Sequence, residues 1–151
     1  MSVGEYCVRD VVVADAHMSV PELARLMRSY HVGDIVVVEE RGGERVPEGI
    51  VTDRDLVVEV LAEEVDLNAV TAADIMSADL LVVGEGDDLW ETVERMRDRG
   101  VRRAPVVNQR GGLEGILTVD DLIDLLAEQM SDLVQLFRRE QRREQATRTV
   151  P

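Results

Sequence analysis

Two short stretches carry a hydroxyl and a carboxylate at the same spacing: Thr52-Asp53-Arg54-Asp55 and Thr118-Val119-Asp120-Asp121. Each follows an apolar run, Gly49-Ile50-Val51 or Gly115-Ile116-Leu117, that reads as a strand, and each leads into a helical pattern. A Thr between a strand and a helix stands near the N-cap, where backbone N–H groups and a positive partial charge favour phosphate. Its hydroxyl adds a hydrogen bond. The Asp three residues on faces the same opening, and its acceptor-only oxygens suit the vicinal hydroxyls of a ribose. Arg54 lies inside the first stretch. Arg102 and Arg103, ahead of Ala104-Pro105-Val106, offer forked donors to phosphate in the second half. With apolar strand edges to clasp a flat base, the expected ligand is a ribonucleotide. The same Thr-x-x-Asp spacing is also a variant of the helix capping box, so a purely structural role for both pairs stays open.

The elements that would position these residues occur twice. Gly49 to Leu56 matches Gly115 to Leu122, and upstream Ser19-Val20-Pro21-Glu22 matches Asp88-Leu89-Trp90-Glu91, two expected capping boxes. Further back, Arg9-Asp10-Val11-Val12 is aligned with Ala73-Asp74-Ile75-Met76. Each copy opens with an extended stretch, Val11 to Val13 or Leu80 to Val83. An amphipathic helix follows over Val20 to Tyr30, with Leu23, Leu26, Met27 and Tyr30 on one face, or over Leu89 to Arg99, with Leu89, Val93 and Met96. Then come two strands around a glycine turn: Ile35 to Val38 and Gly49 to Thr52 flank Gly42-Gly43, while Ala104 to Val107 and Gly115 to Thr118 flank Gly111-Gly112. A second helix starts after each Thr. The order β-α-β-β-α, twice, gives an α/β class of the α+β type. A unit of ~60 residues is marginal alone, so the two are expected to pack on each other. The expected organisation is repeat 1 over 6–63, a connector over 64–72, repeat 2 over 73–130 and a C-terminal helical extension with a basic tail over 131–151.

The last helix has an apolar stripe of Leu122, Leu125, Leu126, Met130, Leu133, Leu136 and Phe137 that outlasts its counterpart, which stops near Ala62. Arg138, Arg139, Arg142, Arg143 and Arg148 follow, with Glu140 and Glu144. Arg near a helix C-terminus suits the dipole. The early turns are expected to serve the core and the later ones to reach a partner subunit.

Composition limits the function classes. Of 151 residues, 45% are apolar and only 3% aromatic, so the core must be aliphatic. Acids outnumber bases 31 to 17, for a formal net charge of −14, which argues against non-specific binding to nucleic acid or an anionic membrane. All the bases are Arg, a bias that fits either a salt-rich cytoplasm or a GC-rich genome. No secretory signal pattern and no ~20-residue apolar span is present, so a cytoplasmic location is expected. One cysteine, Cys7, excludes an internal disulfide. His17 and His31 have no Cys or His at ligand spacing and are expected at the surface or a helix end, so no metal is expected. Gly84-Glu85-Gly86 precedes Asp87-Asp88, which would repel phosphate, and reads as a loop. Trp90 is expected to pack. Asp120-Asp121 suits the helix dipole better than Mg²⁺. With no nucleophile–base–orienter set, the chain reads as non-enzymatic.

Asp74-Ile75-Met76-Ser77, Gly100-Val101-Arg102-Arg103-Ala104-Pro105-Val106-Val107 and Gly49 to Leu56 resemble paired CBS (cystathionine β-synthase) domains, together a Bateman module, over roughly Tyr6 to Met130. The resemblance implies two repeats related by a pseudo-two-fold axis, disc-shaped dimers of modules, and an adenosine ligand in the clefts between repeats: AMP, ADP, ATP, NAD or S-adenosylmethionine. It assigns phosphate and ribose contacts to Thr52, Asp55, Thr118 and Asp121. Repeat 1 departs from the pattern, with Gly33-Asp34-Ile35-Val36 where repeat 2 has Arg102-Arg103-Ala104-Pro105, so the two clefts are expected to be unequal. The expected function is a stand-alone, homodimeric regulatory module that binds an adenine ribonucleotide and acts on a protein partner in trans. The alternative is a ligand-free structural or interaction protein that assembles through the same fold and the last helix.

Overall fold

The computed structural model describes residues 1–148 of the chain. It divides into two compact units, Met1–Thr118 and Val119–Pro151. The first holds both repeats up to the end of their sheets; the second holds the last helix.

Two eleven-residue helices have the expected boundaries, α2 over Val20–Tyr30 and α5 over Leu89–Arg99. The Ser19 hydroxyl accepts from the Glu22 N–H at 3.3 Å, and the Glu22 carboxylate accepts from the Ser19 N–H at 2.9 Å. This reciprocal box satisfies two of the helix's orphan donors. α2 ends on His31 and α5 on Gly100, both left-handed, with φ of 54° and 65°. The second expected box is only half made. Asp88 accepts from the N–H groups of Trp90 and Glu91, at 2.9 and 3.1 Å, without the return bond from Glu91. Here the neighbouring backbone is engaged by the chain's N-terminus: the Val3 N–H donates to the Asp87 carbonyl and the Leu89 N–H to the Met1 carbonyl. Trp90, expected to pack, is exposed.

The strands form two three-stranded sheets of the same design. β1 (Val13–Ala14) lies parallel to β2 (Asp34–Arg41), which pairs antiparallel with β3 (Glu44–Thr52). Likewise β4 (Val83–Gly84) lies parallel to β5 (Arg103–Val107), which pairs antiparallel with β6 (Leu113–Thr118). Gly42 and Gly43 turn the first hairpin with φ of 58° and 82°, the doubly left-handed backbone of a tight hairpin turn. Alternation along β2 and β3 sends side chains to two cores. Ile35, Val37 and Val51 pack with Leu23 and Met27 of α2, whereas Val36, Val38 and Ile50 meet Ile116 of the other sheet. Both cores are built from aliphatic side chains, as the aromatic-poor composition requires.

The repeats exchange their leading segments. α1 (Val3–Tyr6) docks on the second repeat: the Val3 and Gly4 N–H groups donate to the Asp87 and Glu85 carbonyls, and Val8 and Ile116 exchange two backbone bonds of 2.9 Å. α4 (Ala72–Ile75) does the same on the first repeat. Ala72 and Ala73 donate to Met18 and Ala16, while Ser77 and Ile50 exchange bonds of 2.9 and 3.0 Å. Ser2 to Cys7 is thus the counterpart of Thr71 to Met76. The alignment of Arg9–Val12 with Ala73–Met76 is corrected, because Val11 and Val12 belong to the crossing toward β1. Both straps begin with a reciprocal cap, Ser2 with Glu5 and Thr71 with Asp74. The backbone N–H of Ser2 or Thr71 holds the carboxyl of Glu5 or Asp74 below its ordinary value.

This exchange explains the glycine in each Gly-Ile-(Val/Leu)-Thr run. A β-carbon on Gly49 would lie 2.5 Å from the Met76 sulfur, and one on Gly115 would lie 2.7 Å from both the Cys7 sulfur and the Val8 carbonyl oxygen. Only a bare backbone lets the strap lie against the strand.

One core position is imperfect. Thr92, fully buried on α5, occupies the place that Leu23 holds on α2, and its hydroxyl has no hydrogen-bond partner among the described residues. Thr92→Val is expected to stabilise the fold by about 1 kcal/mol, since it removes an unsatisfied buried hydroxyl at nearly constant volume. On a chain of this size that is a rise in melting temperature of roughly 3 °C. A fall would show that the hydroxyl is bonded in solution.

After Thr52 the expected second helix is not regular. One short turn, α3 (Asp53–Asp55), runs into a π-helical stretch over Leu56–Leu61. It leaves Val57, Val58 and Leu61 exposed and Val60 buried. The counterpart after Thr118 is α6 (Val119–Arg148), one uninterrupted α-helix of 30 residues with Leu122 and Leu125 buried.

Candidate functional site

The hairpin register places the residues singled out from the sequence. Asp34 opens β2 opposite Thr52 at the end of β3, and Arg103 opens β5 opposite Thr118 at the end of β6. Asp34 and Arg103, equivalent positions of the two repeats, meet. The Arg103 Nε donates to the Asp34 Oδ2 at 2.5 Å, with the side chains only 34% and 25% exposed. The acid that stands in repeat 1 at the position of Arg103 therefore engages that arginine of repeat 2.

The Thr52 turn is a complete capping box. The Thr52 N–H donates to the Asp55 Oδ2 at 2.8 Å, and the Asp55 N–H to the Thr52 Oγ1 at 3.2 Å. The intervening donors are also used. The Asp53 N–H bonds the Gly33 carbonyl at 2.9 Å, and the Arg54 N–H bonds the Asp53 Oδ1 at 2.8 Å. The expectation of open N–H groups for phosphate at this helix start does not hold, because all four are internally satisfied. What stays available is different in kind. Thr52 Oγ1 accepts from the turn, so its own O–H can donate outward, and Asp55 keeps its second oxygen as an acceptor. A donor beside an acceptor matches a ribose diol better than a phosphate.

An apolar cleft of about 610 Å³ is lined by Asp10, Val11, Val12, Val13, Leu26, Tyr30 and Val32. Its walls come from the crossing toward β1, the outer end of α2 and the residues just past it. Thr52, Asp55 and Arg103 are not among its lining residues. The link is the backbone: Val32 continues into Gly33, whose carbonyl holds Asp53, and into Asp34 beside Thr52. Tyr30, read from helical spacing as a core residue, is 63% exposed and forms part of this wall. The sequence signal that could have found it is its position at the last turn of α2, where a ring can overhang the strand that follows.

A second cleft, of about 670 Å³, has a different character. Asp15, Glu39, Glu40 and Glu48 line it with only His17 and Arg45 as basic groups. A hydrogen bond to Glu39 raises the Glu48 carboxyl above its ordinary value, while the Arg41 guanidinium holds Glu39 below its own. Such walls repel a phosphate.

The other candidate residues are placed as follows. Arg54 is exposed in the first turn of α3, and Arg102 is exposed just ahead of β5. Ala104 and Pro105 are buried within β5, the central strand of its sheet, opposite Leu117 and Ile116. Thr118 ends β6, and Asp121 lies in the first turn of α6. His31 caps α2, and His17 is exposed on the loop after β1. Among the described residues no cluster of His, Cys, Asp and Glu is placed to hold a metal ion, and no helix is long and apolar enough to cross a membrane.

Two equivalent sheets, reciprocal straps and paired Thr-x-x-Asp turns define a tandem-repeat α+β module. The CBS domain profile matches residues 3–62 and 72–128, and the chain belongs to the CBS domain family as a CBS domain pair. Protein MK0525 of Methanopyrus kandleri is 38% identical over 125 residues, which are 83% of this chain and 62% of that protein, so the chain spans less than two thirds of that relative. The cytosolic domain of the Mg²⁺ channel MgtE, solved in complex with ATP, is 29% identical with a TM-score of 0.68, over 82% of this chain and 48% of that one. The CBS domain pair of protein MJ0100, solved with 5′-methylthioadenosine and S-adenosylmethionine, has a TM-score of 0.73 over 85% of this chain and 98% of that one. At 22% identity it speaks to the fold alone.

Proposed function

We propose that this chain is a non-enzymatic regulatory module that binds an adenine ribonucleotide in the apolar cleft that Val32 and Gly33 link to Thr52 and passes its ligand state to a protein partner in trans. The observation that supports this most is the sequence of surfaces there. An apolar cleft walled by Val11, Val12, Val13, Leu26 and Val32 suits the base. The Thr52 hydroxyl and the second Asp55 oxygen suit the ribose. The arginines nearby, Arg54, Arg102 and Arg103, suit a phosphate tail. The ATP complex of the MgtE cytosolic domain, a relative of the same fold, supports the same ligand class. Thr118 and Asp121 form the matching pair of the second repeat. A ligand can shift a regulatory equilibrium only through unequal affinity for two states; here the Asp34–Arg103 pair is the contact a phosphate would compete with.

Calorimetric titration with AMP, ATP, NAD and S-adenosylmethionine tests the reading. At least one is expected to bind more tightly than about 1 mM. Asp55→Asn keeps an oxygen for the Thr52 N–H but puts an amide donor where the ribose needs an acceptor. It is expected to weaken binding about ten-fold, roughly 1.4 kcal/mol, with little change in melting temperature. Asp121→Ala is expected to weaken binding while the fold survives. No binding by any of the four ligands would favour the ligand-free structural reading instead, and variants that lose stability without losing affinity would assign these carboxylates to capping alone.

A further inference from the structure

Outside the cleft, the feature with most unexplained apolar surface is α6. Ile123, Leu126, Met130, Leu133 and Phe137 follow one another at steps of three and four residues. That 3.5-residue period is the signature of a coiled-coil seam, as distinct from the broader stripe of a helix lying on a globular core. The seam is distinct from the buried pair Leu122 and Leu125: all five of its side chains are between 46% and 66% exposed, and Val134 and Leu136 flank it, also exposed.

The charges along the same helix are segregated. From Val119 to Phe137 it carries Asp120, Asp121, Asp124, Glu128 and Asp132 and no base. From Arg138 to Arg148 it carries five arginines against Glu140 and Glu144. A helix with an apolar seam, an acidic first part and a basic last part is complementary to itself only head to tail. Parallel pairing would set acid beside acid, arginine beside arginine, and Glu140 and Glu144 against their own copies in the seam. Antiparallel pairing lays the arginine-rich end of each helix along Asp120 and Asp124 of the other. With Met130 level with Leu133 of the second copy, Leu126 meets Phe137, and the seam is apolar through its centre.

We propose that α6 is a homodimerisation helix that pairs antiparallel with α6 of a second copy of this chain. The pairing does not depend on whether the cleft holds a nucleotide. An acidic first part disfavours an anionic membrane as the covering surface.

The test is a distance between the two copies. Full-length chain with Cys7→Ser and Ala146→Cys is spin-labelled and measured by double electron–electron resonance. At a rise of ~1.5 Å per residue, antiparallel pairing about the Met130–Leu133 level separates the two labels by roughly 45 Å, and parallel pairing brings them within roughly 20 Å. The expected result is the long distance, abolished by adding Leu133→Glu, whose site is exposed in the single chain, with the melting temperature of the monomeric unit unchanged. A short distance, no inter-copy coupling, or a long distance insensitive to Leu133→Glu (as it would be if the copies met through another surface) overturns the proposal. Nucleotide titration of the Leu133→Glu chain reads the cleft separately, so failure of one reading leaves the other standing.

Discussion

Gly115→Ala is expected to lower the melting temperature by roughly 8 °C, corresponding to about 3 kcal/mol on a chain of this size. The added methyl would sit 2.7 Å from the Val8 carbonyl oxygen, a backbone atom that cannot rotate away, as well as 2.7 Å from the Cys7 sulfur. Overpacking at a tight contact costs about 1–3 kcal/mol. Displacing the strap also strains the two bonds between Val8 and Ile116, each worth about 0.5–1.5 kcal/mol. Gly49→Ala acts by the same mechanism but more mildly, because its nearest neighbours belong to the Met76 side chain. Gly86→Ala is the control. Nothing lies within 4 Å of its β-carbon position, so thermal unfolding should be nearly unchanged. If all three variants melted alike, the close approach of strap and strand would not be what these glycines serve.

Asp34→Asn is expected to tighten binding of ATP about ten-fold while leaving an uncharged adenosine nearly unaffected. Asp34 currently accepts from Arg103 and places a negative charge beside Thr52. The substitution frees a guanidinium for phosphate and removes a local repulsion. A hydrogen bond to a charged group is worth about 1.5–3 kcal/mol, so a net ten-fold gain, about 1.4 kcal/mol, allows for solvation of the freed arginine. The effect should vanish when Arg103→Ala is added, and that double-mutant cycle separates release of Arg103 from a general change in charge. Equal affinity for ATP in Asp34→Asn and the parent chain would mean that Arg103 does not reach the phosphates.

What the residues alone revealed follows the range of the forces involved. α2 and α5 were legible to the residue because their limits are local: Ser19 with Glu22, Asp88, and the left-handed ends at His31 and Gly100. The hairpins were legible from Gly42-Gly43 and from alternating aliphatics. The straps were not, since Val3 to Tyr6 and Ala72 to Ile75 are too short to show a period, and their partners lie in the other repeat. The π-helix was hidden as well, because Leu56-Val57-Val58 and Val60-Leu61 read as an ordinary apolar face. At the candidate site, the Thr-x-x-Asp spacing allowed a cap or a ligand contact. The geometry shows that at Thr52 the cap uses all the turn's N–H groups and only one Asp55 oxygen. Asp34 was visible as an acid out of place, but its meeting with Arg103 required the fold.

The traded leading segments bear on how such a molecule comes apart. Cleavage in the stretch between Glu63 and Ala69 would yield two fragments, each still gripping the other's front end, so the nicked protein should remain a single particle until denatured. A polypeptide bearing one unit by itself would have an idle clasp and a vacant seat. Two of them could satisfy each other by mutual barter, as the two halves of this chain do.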